Sequence, residues 1–313
     1  MNAASTARLL LRIVAGLALL AGTVWMVGPR KLLDAVTRVD AQVLAAALAL
    51  SICSNIASAH RWAMIARALG LDAPGNRLVP MYARGITSNI LLPGATLSGD
   101  MLRAYELSRL GNPLLESSVS VAFDRFSGLW TLCVLSFAAS SAAWFAGFAL
   151  ATGAHGREVL ATYGALLAAI VAGPFVPWPA GILRHLPIKA GARLADLWDR
   201  FRDPATGLRR RLARSLGPSL LVQILSASAL ACCARSLDVQ VPWLLLVAAA
   251  APIFVTAALP VGVAGFGTRE LAAAAVLGAA GVGTDQAVAT GLLYGVLGVI
   301  QGVLAAPLFL VRR

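Results

Sequence analysis

The chain has 313 residues, of which 59% are hydrophobic and only 13% are charged. A water-soluble domain of this length needs a charged surface that such a composition does not provide, so we predict an all-α, multi-pass membrane protein. The sequence lacks the short alternating pattern of outer-membrane strands. The formal net charge is +12, but the basic residues flank apolar segments, which favours the positive-inside rule over nucleic-acid binding.

Residue types that carry out enzyme chemistry are few and scattered. The three histidines lie apart, and the four cysteines fall inside apolar segments without the spacing of a zinc site. Motifs of metalloproteases, serine hydrolases and P-loop ATPases are absent. We therefore predict no enzyme activity, no metal and no cofactor. An ATP-driven pump would need an ATPase on a separate chain.

The first half of the chain contains apolar segments and one broken segment. We predict membrane spans at 9–27 and 41–59. The segment at 78–92 is short and polar for a span, so it is expected to form a half-helix that ends at a break. A new helix follows the break, and Asn112 with Pro113 starts a long span after it.

The second half follows a similar order after a basic connector. A span is predicted before the connector, at 160–176. The connector occupies 180–214; between residues 184 and 214 nine basic residues outnumber three acidic ones, and an amphipathic helix is expected there. The remaining predicted elements are two spans, a short helix and a last span, at 216–234, 241–259, 271–281 and 287–311.

These elements predict the overall organisation and location. We expect about eight crossings of a bacterial inner membrane. Both termini and the basic connector are expected in the cytoplasm, with the connector on the anionic inner leaflet. The whole chain, 1–313, is predicted to be one membrane domain. Its two repeat halves lie at about 41–150 and 216–311.

Each half carries a helix break that ends with a hydroxyl residue, a spacer and a carboxylate. Such breaks are tolerated at membrane depth only where protein or a polar cavity satisfies the freed backbone groups. Paired breaks indicate a transport site between internal, inverted repeats. We predict hinges at the breaks and helix caps at the two hydroxyls. The break residues are Pro93, Gly94, Ser98, Gly99, Pro260, Gly262, Gly265, Gly267 and Thr268.

Ionisable side chains in the predicted membrane region are costly and mark a functional site by default. We expect Asp124 to pair with Arg84 or Arg103. Its neighbour Arg125 points about 100° away on a helix and is expected to pair with Asp100 or Glu270. The alternative is a set of charges that only locks helices together. The candidate binding residues are Arg84, Asn89, Asp100, Arg103, Asp124, Arg125, Arg269 and Glu270.

Three stretches in order carry a resemblance to a known family. They are Asn89-x-x-x-Pro93-Gly94 with Ser98-Gly99-Asp100-x-x-Arg103, then Val119-x-x-x-Phe123-Asp124-Arg125-Phe126-Ser127-Gly128-Leu129, then the run from Leu259 to Glu270. Together they resemble the lysylphosphatidylglycerol synthase transmembrane (flippase-like) family, over most of the chain. Ser98 stands where that family often has glycine, and Asp124 where it often has glutamate.

The resemblance implies a stand-alone member without the synthase domain. In two-part members the membrane portion moves an aminoacylated phospholipid between leaflets, and stand-alone relatives are associated with glycolipid, polyprenyl-phosphate, hopanoid or envelope-lipid pathways. We therefore expect translocation of a phospholipid, aminoacyl-phospholipid, glycolipid or polyprenyl-phosphate-linked lipid.

Within this expectation the arginines bind the lipid phosphate, and the carboxylates pair with them in the empty state or bind a cationic headgroup. A lipid-synthesising enzyme is a possible partner, and the oligomeric state is left open. Two alternatives stand beside this reading. One is a non-transporting subunit of a lipid-modifying system. The other is a proton-coupled transporter of a soluble solute that uses Asp100, Asp124 or Glu270.

Overall fold

The computed structural model describes residues 39–91, 97–147, 191–259 and 265–310, together with the isolated positions Trp25, Arg30 and Ala165. Within these ranges the regular structure is helical and no strand occurs. Two short 3₁₀ turns accompany the helices, at Pro204–Thr206 and Ala306–Phe309. The helices are α1 Ala41–Ala68, α2 Gly75–Leu91, α3 Leu97–Ser108, α4 Leu114–Phe145, α5 Gly191–Arg202, α6 Leu208–Ala213, α7 Leu216–Ser236, α8 Trp243–Ala258, α9 Thr268–Ala279 and α10 Thr284–Ala305.

Four helical segments in the described part of the chain are long and apolar enough to cross a membrane, and α8 is a shorter apolar helix. The four are Ala41–Ala68, Leu114–Phe145, Leu208–Ser236 and Thr284–Phe309. This pattern agrees with a multi-pass membrane protein. The predicted spans at 9–27 and 160–176 lie outside the described residues, so the number of about eight crossings stays a prediction.

Helices α1 and α7 form the central pair of the molecule and run antiparallel. The backbone N–H of Asp40 donates to the carbonyl of Ser236 at 2.8 Å, at the start of α1 and the end of α7. Further along, Ser54 Oγ donates to the carbonyl of Val222 at 3.1 Å, and Arg61 Nη1 lies 3.5 Å from Ser219 Oγ. Residues from the start of α1 therefore contact the end of α7, and residues further along α1 contact earlier residues of α7. Small residues such as these serines allow the close approach.

Two helix pairs flank the predicted breaks. The pair α2–α3 lies on either side of residues 92–96, and α8–α9 lies on either side of residues 260–264; both linking segments are outside the described residues. The hinges predicted at Pro93, Gly94, Pro260 and Gly262 therefore stay predictions. Helices α2 and α3 touch at two glycines, because a Cβ on Gly99 would overlap the carbonyl oxygen of Gly85.

The predicted hydroxyl caps are wrong. Ser98 lies inside α3, which begins at Leu97, and its Oγ is 3.1 Å from the carbonyl of Ser88. Thr268 is the first residue of α9, and its Oγ1 is 3.2 Å from the carbonyl of Gly265. In both cases the hydroxyl donates to a carbonyl instead of accepting from a helix N–H. The helix starts are held by other side chains.

Helix α10 contacts one helix from each of the two pairs that flank the predicted breaks. Helix α9 packs against α10 at Gly291 and Gly295, and α2 packs against it at Gly302. A Cβ on Gly302 would overlap Ile90, and Thr87 Oγ1 donates to the carbonyl of Gly302 at 2.8 Å. Missing side chains on α10 thus permit close contact with both halves of the chain.

The basic connector includes the predicted amphipathic helix as α5. Trp198 and Phe201 stack with their ring centroids 5.7 Å apart, and Phe201 also lies 6.5 Å from Phe123 of α4. Leu208 and Leu212 of α6 are buried in the same apolar cluster as Trp62 of α1. Part of the apolar face of the connector therefore packs on the helical bundle.

Candidate functional site

Asp124 is the centre of a buried charge cluster that joins three helices. Its Oδ1 accepts a hydrogen bond from Arg61 Nε of α1 at 2.8 Å, and its Oδ2 accepts one from Arg103 Nη2 of α3 at 2.8 Å. Residues Arg61, Arg103 and Asp124 are 4%, 2% and 1% exposed. Burying a charge is costly unless it is paired and hydrogen-bonded, so these contacts make the cluster stable within the bundle.

The cluster continues outward through Asp100 to Arg125. Arg125 binds Asp100 in a bidentate manner, with Nε 2.8 Å from Oδ2 and Nη2 2.9 Å from Oδ1. Arg103 Nη1 also lies 3.4 Å from Asp100 Oδ1. We call the alternating series Arg61, Asp124, Arg103, Asp100 and Arg125 the ion network. Its inner end is buried, whereas the Arg125 side chain is 43% exposed.

Aromatic rings and a glycine fix Arg103 in the middle of the ion network. Its guanidinium lies 4.3 Å from the ring centroid of Trp62 and 4.4 Å from that of Tyr82. Trp62 is itself anchored, since its Nε1 donates to Ser120 Oγ at 3.1 Å. A Cβ on Gly85 would lie 3.1 Å from the Arg103 side chain. Arg103 is thus held by stacking as well as by charge.

Arg84 belongs to a different ion pair. Its Nε and Nη2 bind Glu106 of α3 at 2.9 and 2.8 Å, and Glu106 is 1% exposed. Arg84 Nη1 also lies 3.4 Å from the carbonyl of Leu308. Of the two partners predicted for Asp124, the structure has Arg103 and not Arg84. Glu106, which the sequence analysis did not select, takes Arg84 instead.

Asn89 bridges the first break. Its Oδ1 accepts a hydrogen bond from the backbone N–H of Gly99 at 2.7 Å and lies 3.3 Å from Ser98 Oγ. Gly99 is in the first turn of α3, where backbone N–H groups have no partner within the helix. Asn89 at the end of α2 therefore caps the next helix across the break.

Arg269 and Glu270 form a separate cluster at the second break. Glu270 is fully buried, and its Oε2 accepts from the backbone N–H of Gly267 at 2.5 Å. Gly267 precedes α9 with φ of 89°, a conformation that favours glycine. Arg269 lies 5.4 Å from the ring of Phe266 and 6.0 Å from that of Tyr294. Glu270 is thus a cap of its own helix.

The structure brings together four of the predicted charged residues, Asp100, Arg103, Asp124 and Arg125. Of the two partners predicted for Arg125, the structure has Asp100 and not Glu270. The sequence analysis missed Arg61 and its neighbour Trp62, because the predicted span at 41–59 ends before them. The helix continues to Ala68, so both side chains lie inside the bundle.

Comparison with known proteins decides the family. The sequence model described as the lysylphosphatidylglycerol synthase TM region matches residues 10–306. The chain belongs to this family. In those synthases the membrane region is the non-catalytic part. The chain is also 31% identical over 114 residues to a UPF0104 membrane protein of Methanothermobacter thermautotrophicus. That match covers 36% of this chain and 34% of the relative, so it spans about a third of the curated relative's length.

The candidate site is the ion network, and no metal centre accompanies it within the described residues. No group of three or more histidine, cysteine, aspartate or glutamate side chains that could hold a metal ion occurs in the part of the chain that the structure describes. What the ion network offers chemically is guanidinium hydrogen-bond donors with a route to the surface at Arg125. Guanidinium groups match the oxygen geometry of carboxylates and phosphates.

Proposed function

We propose that this protein moves a lipid between the leaflets of a bacterial inner membrane, with the headgroup bound at the ion network. The observation that carries the proposal is the network itself, which runs from buried Arg61 to half-exposed Arg125. Ionisable residues inside membrane bundles are rare and usually line a substrate pathway. Membership of a family whose membrane region is linked with lipid flipping supports the same function.

The proposed transport cycle begins with an exchange of partners at Arg125. In the structure Asp100 binds Nε and Nη2 of this guanidinium. An incoming phosphate offers oxygen acceptors of the same geometry and would compete with Asp100. Because Arg125 is 43% exposed while Arg103 is enclosed, Arg125 meets the headgroup before any other member of the network.

The helix contacts support the second element of the proposal, an inverted repeat of α1–α4 and α7–α10. Helix α2 packs against α10 of the other half, and α8 packs against α4. A two-fold axis through the α1–α7 contact exchanges these two pairs. Since that axis relates two antiparallel helices, it lies perpendicular to them, as it does in inverted-topology transporters. The two halves would then move against each other during transport.

The remaining features of the proposal concern orientation and partners. The basic connector, which includes α5 and α6, would lie at the cytoplasmic face beside anionic lipid, with both termini on the same side. The protein would act without an enzyme reaction of its own. The lipid would be supplied by a synthesising enzyme in the same membrane, and the ion network would receive its headgroup.

Translocation by purified protein in liposomes tests the proposal. Tail-labelled fluorescent phosphatidylglycerol is added, and dithionite destroys only the dye in the outer leaflet, so translocation appears as loss of the protected fraction. We expect Arg125→Ala to slow this loss by at least about tenfold, because a charge-assisted hydrogen bond to phosphate is removed. Arg125→Lys is also expected to be slow, since a point charge lacks the bidentate geometry.

Arg109→Ala is the matched control, because Arg109 is exposed at the end of α3 and lies outside the ion network. It removes one surface arginine and should leave translocation at the wild-type rate. If wild-type protein moves no lipid faster than empty liposomes, with or without a proton gradient, the proposed function is wrong. Wild-type rates in Arg125→Ala would remove Arg125 from the lipid site.

A further inference from the structure

We infer that the ion network selects lipids with a net anionic headgroup and discriminates against net cationic ones such as aminoacylated phospholipids. This inference rests on the proposed function and narrows the substrate class. It follows from counting which hydrogen-bonding groups at the site are already used. A cationic ammonium needs an accessible carboxylate whose charge is not already balanced by arginines, whereas a phosphate needs an accessible N–H donor.

The carboxylates near the network are occupied. Both oxygens of Asp124 accept from arginines, and so do both oxygens of Asp100. Both oxygens of Glu106 are bound by Arg84. Within the residues that the structure describes, none of these three carboxylates keeps an oxygen without an arginine partner. An ammonium headgroup would therefore have to share a carboxylate with a guanidinium and would meet the positive charge of that guanidinium.

Donors remain available at the exposed end. Asp100 engages Nε and Nη2 of Arg125, and no described residue accepts a hydrogen bond from Nη1. The network contains three arginines and two aspartates, which leaves one positive charge in excess. The network as a whole therefore carries a net positive charge, and Arg125 is its most exposed member. The exposed end attracts anions for this reason.

Among the buried carboxylate oxygens of the residues that the structure describes, two lack a hydrogen-bond partner, and neither belongs to the network. Glu270 Oε1 is one; its side chain is fully enclosed beside Arg269 and is not reachable by a headgroup. Glu116 Oε2 is the other. Glu116 lies nine residues before Arg125 on α4, about 13 Å along the helix axis. Neither group supplies an acceptor where Arg125 meets the lipid.

The test compares lipids that differ only in their headgroup. Tail-labelled phosphatidylglycerol, phosphatidylcholine and lysylphosphatidylglycerol with identical acyl chains are offered to wild-type protein in neutral liposomes. We expect phosphatidylglycerol to cross at least about tenfold faster than lysylphosphatidylglycerol, the scale set by one charge-assisted hydrogen bond. Phosphatidylcholine, which is zwitterionic, is expected between the two.

Two substitutions at the site are expected to change the rate ratio of the anionic to the cationic lipid in opposite directions. Asp100→Asn frees donors of Arg125, so the rate ratio of the anionic to the cationic lipid should rise. Arg125→Gln removes the exposed positive charge and the bidentate guanidinium donors, so the ratio should fall toward that of empty liposomes. Asp72→Asn, an exposed aspartate at the other end of α2, is the control and should not change the ratio.

The outcomes separate this inference from the proposed function. Equal or faster transport of lysylphosphatidylglycerol would overturn the anionic preference while leaving lipid translocation intact. A fall in the ratio for Asp100→Asn would overturn it as well, because it would show Asp100 holding the ammonium group. Absence of transport for all three lipids would instead refute the proposed function, and the inference with it.

Discussion

The two helix breaks look alike in sequence but use their charged residues differently. At the first break, Asp100 faces Arg125 and Arg103 on neighbouring positions of the ion network, which reaches the surface. At the second break, Glu270 turns back to cap Gly267 and is fully enclosed. The same spacing of hydroxyl and carboxylate thus gives a carboxylate that can exchange partners in one half and a fixed structural one in the other.

The proposed repeat is therefore asymmetric, because the carboxylates at its two breaks have different partners. In the first half, charged side chains from three helices form a network that reaches the surface, whereas in the second half Glu270 caps Gly267 and Arg269 packs against Gly295 of α10. Substitutions at the two breaks should therefore separate into those that change transport and those that change folding.

Asp124→Asn should have the largest effect on stability. The change leaves Arg61 and Arg103 buried without their shared carboxylate, and breaking a buried pair costs about 3–5 kcal/mol. Thermal unfolding in detergent measures the loss, with Asp72→Asn as an exposed control. Adding Arg61→Gln should recover only part of it, since Arg103 then keeps only Asp100, at 3.4 Å, as an acidic partner among the described residues. A single mutant as stable as the wild type would mean that the ion network does not hold the bundle together.

Gly295→Ala should have the next largest effect and should act on the second break. A Cβ there would overlap Arg269 and lie 2.8 Å from Phe266, and overpacking of this kind costs about 1–3 kcal/mol. Gly298→Ala on the same helix is the matched control, because its Cβ meets nothing within 4 Å. We expect Gly298→Ala to be neutral or slightly stabilising. Equal melting temperatures for the two variants would contradict the close packing of α9 on α10.

Asn89→Ala should have the smallest effect of the three. It removes the side-chain oxygen that caps Gly99, and loss of a helix cap costs about 1 kcal/mol. If this hydrogen bond also holds the start of α3 against the end of α2, its loss should make limited proteolysis between the two helices faster than in the wild type. Asn112→Ala, which removes three side-chain hydrogen bonds to the backbone of Asp72 and Leu107 away from the break, provides a comparison. Faster cleavage in Asn112→Ala alone would show that Asn89 does not secure the break.

Much of the helical framework could be predicted from the sequence, because apolar segments and helix-ending residues are local signals. The predicted span at 216–234 corresponds to α7 at Leu216–Ser236, and the half-helix at 78–92 corresponds to α2 at Gly75–Leu91. The predicted span at 41–59 was too short, since α1 continues through polar residues to Ala68. A prediction from hydropathy ends the span at the first arginine. In the folded protein, contacts with other helices allow the polar residues to lie inside α1, so the helix continues.

The site was predictable only in part for the same reason. Intramembrane charge pointed to Asp100, Arg103, Asp124 and Arg125. Helix geometry predicted different partners for Asp124 and Arg125 and left two open for each, of which the structure has Arg103 and Asp100. Arg61 was not predicted, because the span predicted at 41–59 ends before it, and Glu106 was not selected among the charged residues. The stacking of Arg103 between Trp62 and Tyr82 likewise arises only when three helices come together.

The packing of α2 on α10 has a consequence for how the chain is made. Thr87 of α2 donates a hydrogen bond to the carbonyl of Gly302, which is synthesised 215 residues later. At ribosomal rates of 5–20 residues per second, this interval is roughly 10–40 s. The ion network needs only α1, α3 and α4, which emerge early, so its charges can neutralise one another in the nascent chain. The contact between Thr87 of α2 and Gly302 of α10 can form only after α10 has been synthesised, so this packing follows the formation of the ion network.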